Sequence, residues 1–427
     1  MSRLLYTLIL YLLLPLTPVR LLWRGIRQPD YLRHWAERFG YYPKQSISDI
    51  VQPKPWIWLH CVSVGETRAA EPLVRVLQQR YPAHGILITH ATPTGRATSE
   101  QLFGNSIERA YLPYDVPGAV ERFLEHFRPQ IGLLMETELW FNLIAACERR
   151  KMPLLLVNAR LSERSARGYA KIARLTRAGL NALAGIAAQT DADAKRLQDL
   201  GGKQVKVFGN LKFDVRPPAD VAEQAKKLRD QLGATRPVFL AASTRDGEET
   251  LILEALARLD ISGLLMVIVP RHPQRFDEVA SLLVKHDIPF VRRSQLGRAK
   301  VKPQIKVILG DSMGEMFTYY AACDIAFIGG SLLPFGGQNL IEGATMGKPL
   351  LVGPHTYNFE EIAKQAVTQG AALRVQNAGE LAQGVQKLLS NEQSREAMGR
   401  AALEFSGSAG GATQKIADMV QRYLFST

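Results

Sequence analysis

The chain has 427 residues and a mass of 47.4 kDa, which exceeds what one hydrophobic core usually supports, so two sizeable domains are expected. Its formal net charge of +13 indicates an anionic partner, either a nucleic acid, a membrane surface or a phosphorylated substrate. The three cysteines, Cys61, Cys147 and Cys323, have no paired spacing, which argues against a disulfide framework and a zinc knuckle. The eight histidines also lack the spacing of a metal-ligand pair.

The amino terminus carries an uncharged hydrophobic run from Leu4 to Val19. A membrane-spanning helix needs about 20 apolar residues, and Pro15 and Pro18 would disturb the second half of this run, so a shallow monotopic anchor competes with a span. No small-residue cleavage site follows. The basic residues downstream indicate the cytoplasmic side and could bind anionic lipid headgroups; they are Arg20, Arg24, Arg27, Arg33 and Arg38.

From Trp56 onward, apolar β-branched runs alternate with helical patterns, which is typical of a parallel sheet wrapped by helices. Strands are predicted at 56–64, 85–92, 109–114, 131–135, 154–157, 186–188 and 205–208, and then at 238–243, 264–269, 307–309, 325–328 and 350–352. Pro217 and Pro218 separate the two sets and predict a linker, because proline disrupts strand pairing.

The sequence therefore predicts an α/β protein with two doubly wound, Rossmann-like domains that face a central cleft, together with an amino-terminal anchor helix. We assign residues 1–27 to the anchor and its basic segment, 28–215 to an acceptor-binding domain, and 216–427 to a sugar-nucleotide-binding domain. The last helix of the chain could cross back and pack on the acceptor-binding domain.

Glu66 is the first candidate catalytic residue. The first predicted strand leads into Ser63-Val-Gly-Glu66, and a helix runs on to Arg80. Gly65 permits a tight turn, so Glu66 is expected at the carboxyl edge of the sheet, where a carboxylate can act as general base for an acceptor hydroxyl. The alternative is a first-turn glutamate that only complements the helix dipole.

Two further strand ends carry candidate groups. Glu136 and Glu138 follow another strand of the first half, and if that strand persists this far, alternation sends both carboxylates to one side. A solvated helix start is the alternative. Lys212 follows the last strand before the linker, where its cation could stabilise phosphate or carboxylate charge.

In the second half, a glycine-rich loop at 329–344 follows a strand and leads into a helical pattern that ends near Gly347. Asn339 is expected to cap this helix, whose free N–H groups suit a phosphate, and Glu342 should lie one turn inside it. The alternative is that the glycines serve only the turn. Arg271 suits phosphate through its planar guanidinium, and the segment Met313-Gly-Glu315 could meet a nucleobase.

Asp191-Ala-Asp193 superficially matches an Asp-X-Asp metal motif, but it occupies a good helix start. We therefore expect a capping role and no metal.

These motifs, taken in order, resemble the bacterial 3-deoxy-D-manno-octulosonic acid (Kdo) transferases, the glycosyltransferases of the lipopolysaccharide inner core. The resemblance covers nearly the whole chain. Its motifs are the apolar amino terminus with its arginines, Ser63-Val-Gly-Glu66, Thr92-Pro-Thr-Gly95, Tyr111-Leu-Pro-Tyr-Asp115, 135–140, Asn158-Ala-Arg-Leu-Ser162, Leu211-Lys-Phe-Asp214, Pro270-Arg-His-Pro273, 310–315, and Gly329-Gly-Ser331 with Asn339 and Glu342. Phe141 and Leu340 stand where the family pattern has proline.

The resemblance implies a GT-B glycosyltransferase that transfers Kdo from CMP-Kdo to a lipid A precursor (lipid IVA) with inversion, no cofactor and no metal. It implies a site on the cytoplasmic side of the inner membrane. Glu66 would be the general base, and Glu136 and Lys212 would support the transition state. The residues implied to hold CMP are Pro270, Arg271, Met313, Gly314, Glu315, Asn339, Leu340, Ile341 and Glu342.

Three other readings are open. Another GT-B enzyme, such as a UDP-sugar transferase or an epimerase, would share the fold, and a membrane-bound sugar-nucleotide-binding protein would share the sites without catalysis. A nucleic-acid partner would fit the charge, but the sequence has no helix-turn-helix, zinc finger or aromatic–basic ribonucleoprotein motif, and we expect none.

Overall fold

The structure, a computed structural model, describes residues 1–43, 54–215, 217–297, 299–408 and 410–425. Backbone contacts divide the chain into two compact units, Met1–Asp214 with Gly410–Thr427, and Val215–Ala409. Arg216, with which the second predicted domain begins, lies outside the described residues.

Two helices form the amino terminus, α1 (Arg3–Leu13) and α2 (Leu16–Arg27). Pro15 lies at the break between them, because its ring cannot continue the hydrogen-bond ladder of α1. Across the described part of the chain, no single helix has the length and apolarity to cross a membrane, whereas α1 and the stretch Leu16–Ile26, bent by 52°, meet that test as a pair. Two short 3₁₀ turns follow, Pro29–Leu32 and Trp35–Phe39.

The first unit contains a seven-stranded sheet in which every pairing is parallel. Its strands are β1 (Trp56–His60), β2 (Gly85–His90), β3 (Glu108–Tyr111), β4 (Pro129–Met135), β5 (Leu154–Ala159), β6 (Gly185–Ala188) and β7 (Val205–Val207). They lie in the order β3-β2-β1-β4-β5-β6-β7. The helices between them are α3 (Val64–Arg80), α4 (Pro93–Phe103), α5 (Pro117–Phe127), α6 (Phe141–Arg149), α7 (Glu163–Ala170), α8 (Ala173–Ala182) and α9 (Asp191–Asp199).

The second unit has its own seven-stranded parallel sheet. Helix α10 (Val221–Leu232) precedes the strands β8 (Val238–Thr244), β9 (Leu265–Pro270), β10 (Phe290–Arg292), β11 (Val307–Leu309), β12 (Ile325–Ile328), β13 (Leu350–Val352) and β14 (Ala372–Arg374). Their order is β10-β11-β9-β8-β12-β13-β14. The other helices are α11 (Glu248–Ala257), α12 (Phe276–Lys285), α13 (Met316–Ala322), α14 (Ile341–Thr345), α15 (Glu360–Thr368), α16 (Ala378–Ser390) and α17 (Glu392–Ser408).

The central strands are apolar on both faces, as expected of a parallel sheet covered by helices. In β1, Ile57 and Leu59 belong to the core on one face, whereas Trp58 packs on the other, and all three are fully buried. This double burial is why the strand pattern was visible in the sequence. Every strand predicted from it is present.

The sequence missed β10 and β14. Each has three residues and lies at an edge of the second sheet, and Phe290, Val291 and Arg292 of β10 are only half-buried. Short edge strands carry little hydrophobic signal, so the sequence pattern does not predict them. The predicted first strand was also too long, because β1 ends at His60 and the chain turns into α3 after Ser63.

The last helix, α18 (Ala412–Leu424), belongs to the first unit. Ile416 and Val420 are fully buried in the same core as β1 and α3. The carboxylate of Asp214 accepts the N–H groups of Gly411 and Thr413, which satisfies donors at the start of α18.

The structure corrects the role predicted for Arg38. This side chain is 6% exposed and donates from Nη1 to the carbonyl oxygen of Ala91 at 3.0 Å. Its guanidinium lies over the ring of Tyr111, 4.0 Å from the centroid. A buried guanidinium cannot reach lipid headgroups, so the lipid-binding prediction is wrong for Arg38. By contrast, Arg20 and Arg33 are exposed.

The packing of α18 predicts that Ile416→Ala lowers the stability of the first unit by about 2–4 kcal/mol, because it leaves a cavity in the core. All five tryptophans lie in this unit, at positions 23, 35, 56, 58 and 140. Urea unfolding followed by tryptophan fluorescence therefore measures the change selectively. Exposed Lys415→Ala on the same helix is the control, and an equal effect of both substitutions would contradict the packing.

Candidate active site

Glu66 lies in the first turn of α3. The helix begins after Ser63, whose extended backbone (φ −129°, ψ 172°) carries the chain out of the loop. The Glu66 carboxylate accepts the N–H of Val62 at 2.7 Å and the hydroxyl of Ser63 at 3.1 Å. These bonds resemble a capping box, so Glu66 also satisfies donors at the helix start.

The environment of Glu66 favours the protonated carboxyl. Only 8% of the residue is exposed. This burial raises the pKa of Glu66 to about 8, and the carboxylates of Glu136 and Glu138 add to the rise, while the N–H of Val62 and the hydroxyl of Ser63 oppose it. A carboxyl that titrates near neutral pH is well suited to general base catalysis.

Glu136 follows the last residue of β4, and its N–H donates to the carbonyl oxygen of Val157 at 3.0 Å. Its φ of 56° is left-handed, which costs a non-glycine residue about 1–3 kcal/mol. The strand thus ends before Glu136. The condition under which strand alternation would send Glu136 and Glu138 to one side is therefore not met, because the left-handed residue turns the chain out of the strand.

Both glutamates lie where the first sheet reverses its strand order. From β1, the chain proceeds to β2 and β3 on one side and to β4 on the other. In open parallel sheets, the crevice between the carboxyl ends of two such strands is the usual ligand site. Glu66 follows β1 and Glu136 follows β4, so this rule applies to both.

Lys212 belongs to a 3₁₀ turn, Leu211–Phe213, after β7, and its N–H donates to Oδ1 of Asn210 at 3.0 Å. Burial lowers the pKa of the Lys212 amine, and the carboxylates of Glu136 and Glu66 oppose this change. The amine therefore stands in the electrostatic field of both carboxylates. The structure brings the three predicted catalytic residues together in one cluster.

Asn158 supports this cluster. The sequence indicates it only as the first residue of the motif Asn158-Ala-Arg-Leu-Ser162. It is fully buried near the end of β5, its φ is 52°, and its Oδ1 accepts the N–H of Leu211 at 3.0 Å. Asn158 thereby fixes the residue next to Lys212. The sequence signal was an asparagine inside an apolar strand, since asparagine tolerates the left-handed region.

In the second unit, Arg271 follows β9. Its N–H donates to the carbonyl oxygen of Thr244 at 3.0 Å, and its Nε donates to Oε1 of Gln338 at 3.2 Å. Gln338 lies at the end of the glycine-rich loop, so this bond joins the loop to the end of β9. Sequence reasoning did not identify Gln338.

The glycine-rich loop closes on itself. The N–H of Gly337 donates to the carbonyl oxygen of Gly330 at 2.6 Å, and that of Gln338 donates to Gly329 at 3.0 Å. At Gly336, φ is 91° and a Cβ would lie 2.4 Å from Nδ2 of Asn358. Gly336 is therefore needed both for the positive φ of this turn and for its close packing against Asn358.

The helix after this loop is short. Helix α14 has five residues and ends at Thr345, which agrees with the predicted end near Gly347. Oδ1 of Asn339 accepts the N–H of Ile341 at 3.1 Å, and its Nδ2 donates to Oε1 of Glu342 at 3.3 Å. Glu342 thus lies in the first turn, which corrects the prediction that it lies one turn inside. So short a helix has a weak dipole, and an anion here depends mainly on individual donors.

The segment from Met313 to Glu315 lies between β11 and α13. Met313 is 61% exposed, and Gly314 has a φ of 81°. Oε1 of Glu315 accepts from Nη2 of Arg293 at 2.8 Å. The backbone of this loop is therefore open to a ligand, while one oxygen of Glu315 is already occupied by an arginine that sequence reasoning did not identify.

Asp191 and Asp193 form a helix start, as predicted. Oγ1 of Thr190 accepts the N–H of Asp193 at 3.1 Å, and Oδ1 of Asp193 accepts the N–H of Leu161 at 2.8 Å. Within the described ranges, no group of three or more His, Cys, Asp and Glu side chains could hold a metal ion.

Comparison with solved structures supports the two-domain α/β fold of the GT-B type. UDP-GlcNAc 2-epimerase from Neisseria meningitidis aligns with a TM-score of 0.55 and 17% identity over 86% of this chain and all of its own. A putative UDP-N-acetylglucosamine 2-epimerase from Listeria monocytogenes gives a TM-score of 0.53 and 16% identity over 88% of this chain and 97% of its own. At such identities the likeness concerns the fold alone. Residues 250–405 match the family described as glycosyl transferases group 1.

The relatives with higher sequence identity define the protein family more narrowly than the shared fold does. Residues 33–215 match the family described as 3-Deoxy-D-manno-octulosonic-acid transferase (kdotransferase). The 3-deoxy-D-manno-octulosonic acid transferase of Bordetella pertussis is 42% identical over 99% of this chain and 100% of its own length. That of Haemophilus influenzae is 38% identical over 99% of both chains. The chain therefore belongs to the 3-deoxy-D-manno-octulosonic acid transferase family.

Proposed function

We propose that this chain is an inverting glycosyltransferase that moves Kdo from CMP-Kdo to a lipid A precursor, lipid IVA, without a metal. Membership of the family supports Kdo transfer in lipopolysaccharide core biosynthesis. The observation that carries the chemistry is the cluster of Glu66, Glu136 and Lys212 beside the ends of β1 and β4. The direct test is to incubate the protein with CMP-Kdo and lipid IVA and to weigh the products by mass spectrometry.

Glu66 is the proposed general base. Its ionised carboxylate accepts the proton of the acceptor hydroxyl while the oxygen attacks the anomeric carbon and CMP leaves with its phosphate. One displacement inverts the anomeric carbon and needs no covalent intermediate. Lys212 offsets negative charge, and Glu136 keeps the pKa of Glu66 high enough to take the proton.

The second unit is the proposed donor domain. Arg271 contacts the phosphate of CMP through charge-assisted hydrogen bonds. The backbone of Met313 and Gly314 receives the base, and the remaining contacts come from Pro270, Glu315 and the segment from Asn339 through Leu340 and Ile341 to Glu342. A UDP-sugar enzyme is not favoured, since the epimerases share only the fold, whereas the full-length relatives are Kdo transferases.

We further propose that α1 and α2 attach the protein to the cytoplasmic face of the inner membrane. Leu4, Leu8 and Leu12, spaced by four residues, are 83%, 56% and 69% exposed. The opposite edge of α1 is tied to the first unit, because the hydroxyl of Tyr6 donates to Oδ2 of Asp115 at 2.8 Å. A helix held along the domain in this way favours shallow insertion over a free span.

Glu66→Gln should lower turnover by roughly 10²- to 10⁴-fold, because it keeps the shape and removes the base. CMP affinity should stay normal, since the donor contacts lie on the second unit. Stopped-assay rates at saturating substrates and CMP titration measure the two effects. Glu136→Gln is the comparison variant. If Glu66→Gln transfers Kdo at the wild-type rate and Glu136→Gln abolishes turnover, Glu66 is not the base.

The raised pKa of Glu66 predicts the pH profile of kcat/KM. The carboxylate is the active form, so kcat/KM should rise with pH and level off above about 8. Glu136→Gln removes a like charge that raises this pKa, so its profile should shift to lower pH. An unshifted profile in Glu136→Gln would show that the limiting ionisation belongs to another group.

Membrane attachment predicts that replacing Leu4, Leu8 and Leu12 together by Asp reduces binding to anionic lipid vesicles at least tenfold, because the apolar face then carries charge. Vesicle co-sedimentation measures this. Tyr6→Phe is the matched control, since it removes only the bond to Asp115 and should keep vesicle binding. Undiminished sedimentation of the triple variant would contradict the proposed attachment.

A further inference from the structure

The second sheet has its own reversal of strand order, between β8 and β12. The backbone is very close there, because a Cβ on Gly329 would lie 2.5 Å from the carbonyl oxygen of Ser243. Ser243 has a φ of 57°, and the pairing of β8 with β9 shifts register between Ala242 and Thr244. The next side chain to leave this strand end is Arg245. It is therefore placed at the crevice where such sheets bind ligands.

A buried carboxylate fixes Arg245 relative to the glycine-rich loop. Oε2 of Glu248 accepts the N–H of Arg245 at 2.9 Å and that of Gly330 at 2.5 Å, and its Oε1 accepts the N–H of Leu332 at 2.9 Å. Glu248 is fully buried. Because one rigid side chain holds both backbones, Arg245 and the loop keep a constant spacing.

The guanidinium of Arg245 lies over the ring of Phe335, 4.8 Å from its centroid. Stacking orders the guanidinium but leaves its N–H groups for a planar anion. Among the residues that the structure describes, the guanidinium makes no hydrogen bond and no ion pair. A half-buried cation that has no ion-pair partner in the described part of the chain, at the end of a strand beside the reversal, is suited to bind a negative group.

The neighbouring Arg275 is not available to bind a negative ligand group. Arg275 is neutralised by Glu249 at 2.7 Å, Glu278 at 3.2 Å and Asp246 at 3.3 Å. Burial lowers the pKa of nearby His272, and the positive charge of Arg245 is the next largest cause. The charges of Arg271 and Arg275 also lower the pKa of His272, and of these three arginines Arg245 is the one whose guanidinium has no ion pair or hydrogen bond among the described residues.

Arg245 and Arg271 flank Gln338. Nε of Arg271 donates to its Oε1, while a Cβ on Gly330 would lie 3.1 Å from its Nε2 and 3.4 Å from Cγ of Arg245. A CMP-linked ulosonic acid carries two negative groups, the phosphate and the sugar carboxylate, both attached to the anomeric carbon. Two arginines near one glutamine offer two cationic partners for two anions on one carbon.

We propose that Arg245 binds the carboxylate of the transferred sugar acid, while Arg271 binds the phosphate. The inference rests on the proposed donor. It makes Arg245 the residue that distinguishes an acidic nucleotide sugar from a neutral one, because a sugar without the carboxylate leaves its guanidinium unpaired beside the ligand.

The test is equilibrium titration of the full-length protein, without acceptor, with CMP, freshly prepared CMP-Kdo and the methyl ester of CMP-Kdo. Wild type should bind CMP-Kdo at least tenfold more tightly than its ester. Arg245→Gln should weaken CMP-Kdo binding about 10- to 100-fold, leave CMP within twofold of wild type, and abolish discrimination against the ester. Arg245→Lys should recover part of that discrimination, and Arg271→Gln should weaken CMP and CMP-Kdo alike.

Equal affinity of wild type for acid and ester would overturn the inference without any variant, so it does not depend on whether Arg245→Gln folds. Equal weakening of CMP and CMP-Kdo in Arg245→Gln would also overturn it, since Arg245 would then contact the phosphate. Failure of the proposed function has a different signature, in which wild type binds neither CMP nor CMP-Kdo.

Discussion

Parallel pairing at the two reversals of strand order is the constraint on which both candidate sites depend. Because β1 lies beside β4, the turn that carries Glu66 and the left-handed residue Glu136 come to the same edge. The pairing of β8 with β12 does the same for Arg245 and the glycine-rich loop. The helices on both faces keep these strands buried, so the strand ends are the positions where polar groups can gather.

The proposed catalytic cluster is held at a cost to stability. Burial raises the pKa of Glu66, so the folded protein binds its proton more tightly than the unfolded chain does. The contribution of this group to stability is therefore complete at low pH and is lost as pH rises through about 8. The ionised base is the form in which the fold is less favoured, which is a usual relation between activity and stability.

Glu66 and Glu248 show why burial alone does not identify a catalytic carboxylate. Both follow the first strand of their sheet and lie in the first turn of a helix. Glu248 accepts three backbone N–H groups and thereby joins one loop to another, so both of its carboxylate oxygens already have structural hydrogen bonds. Glu66 accepts one N–H and one hydroxyl and has Glu136 and Lys212 in its electrostatic field.

The sequence by itself determined the parallel sheets, the strand-end positions of Glu66, Lys212 and Arg271, and the family, because long apolar strands and ordered motifs are local signals. It did not determine the edge strands β10 and β14, which are too short to produce such a signal, or the left-handed turn at Glu136. Only the tertiary structure decided that Arg38 is buried over Tyr111 while Arg245 keeps an unpaired guanidinium among the described residues. The reason is physical. The sequence does not show which residues surround an arginine, because these residues come from distant strands. Whether the charge of an arginine has a partner therefore depends on the tertiary structure.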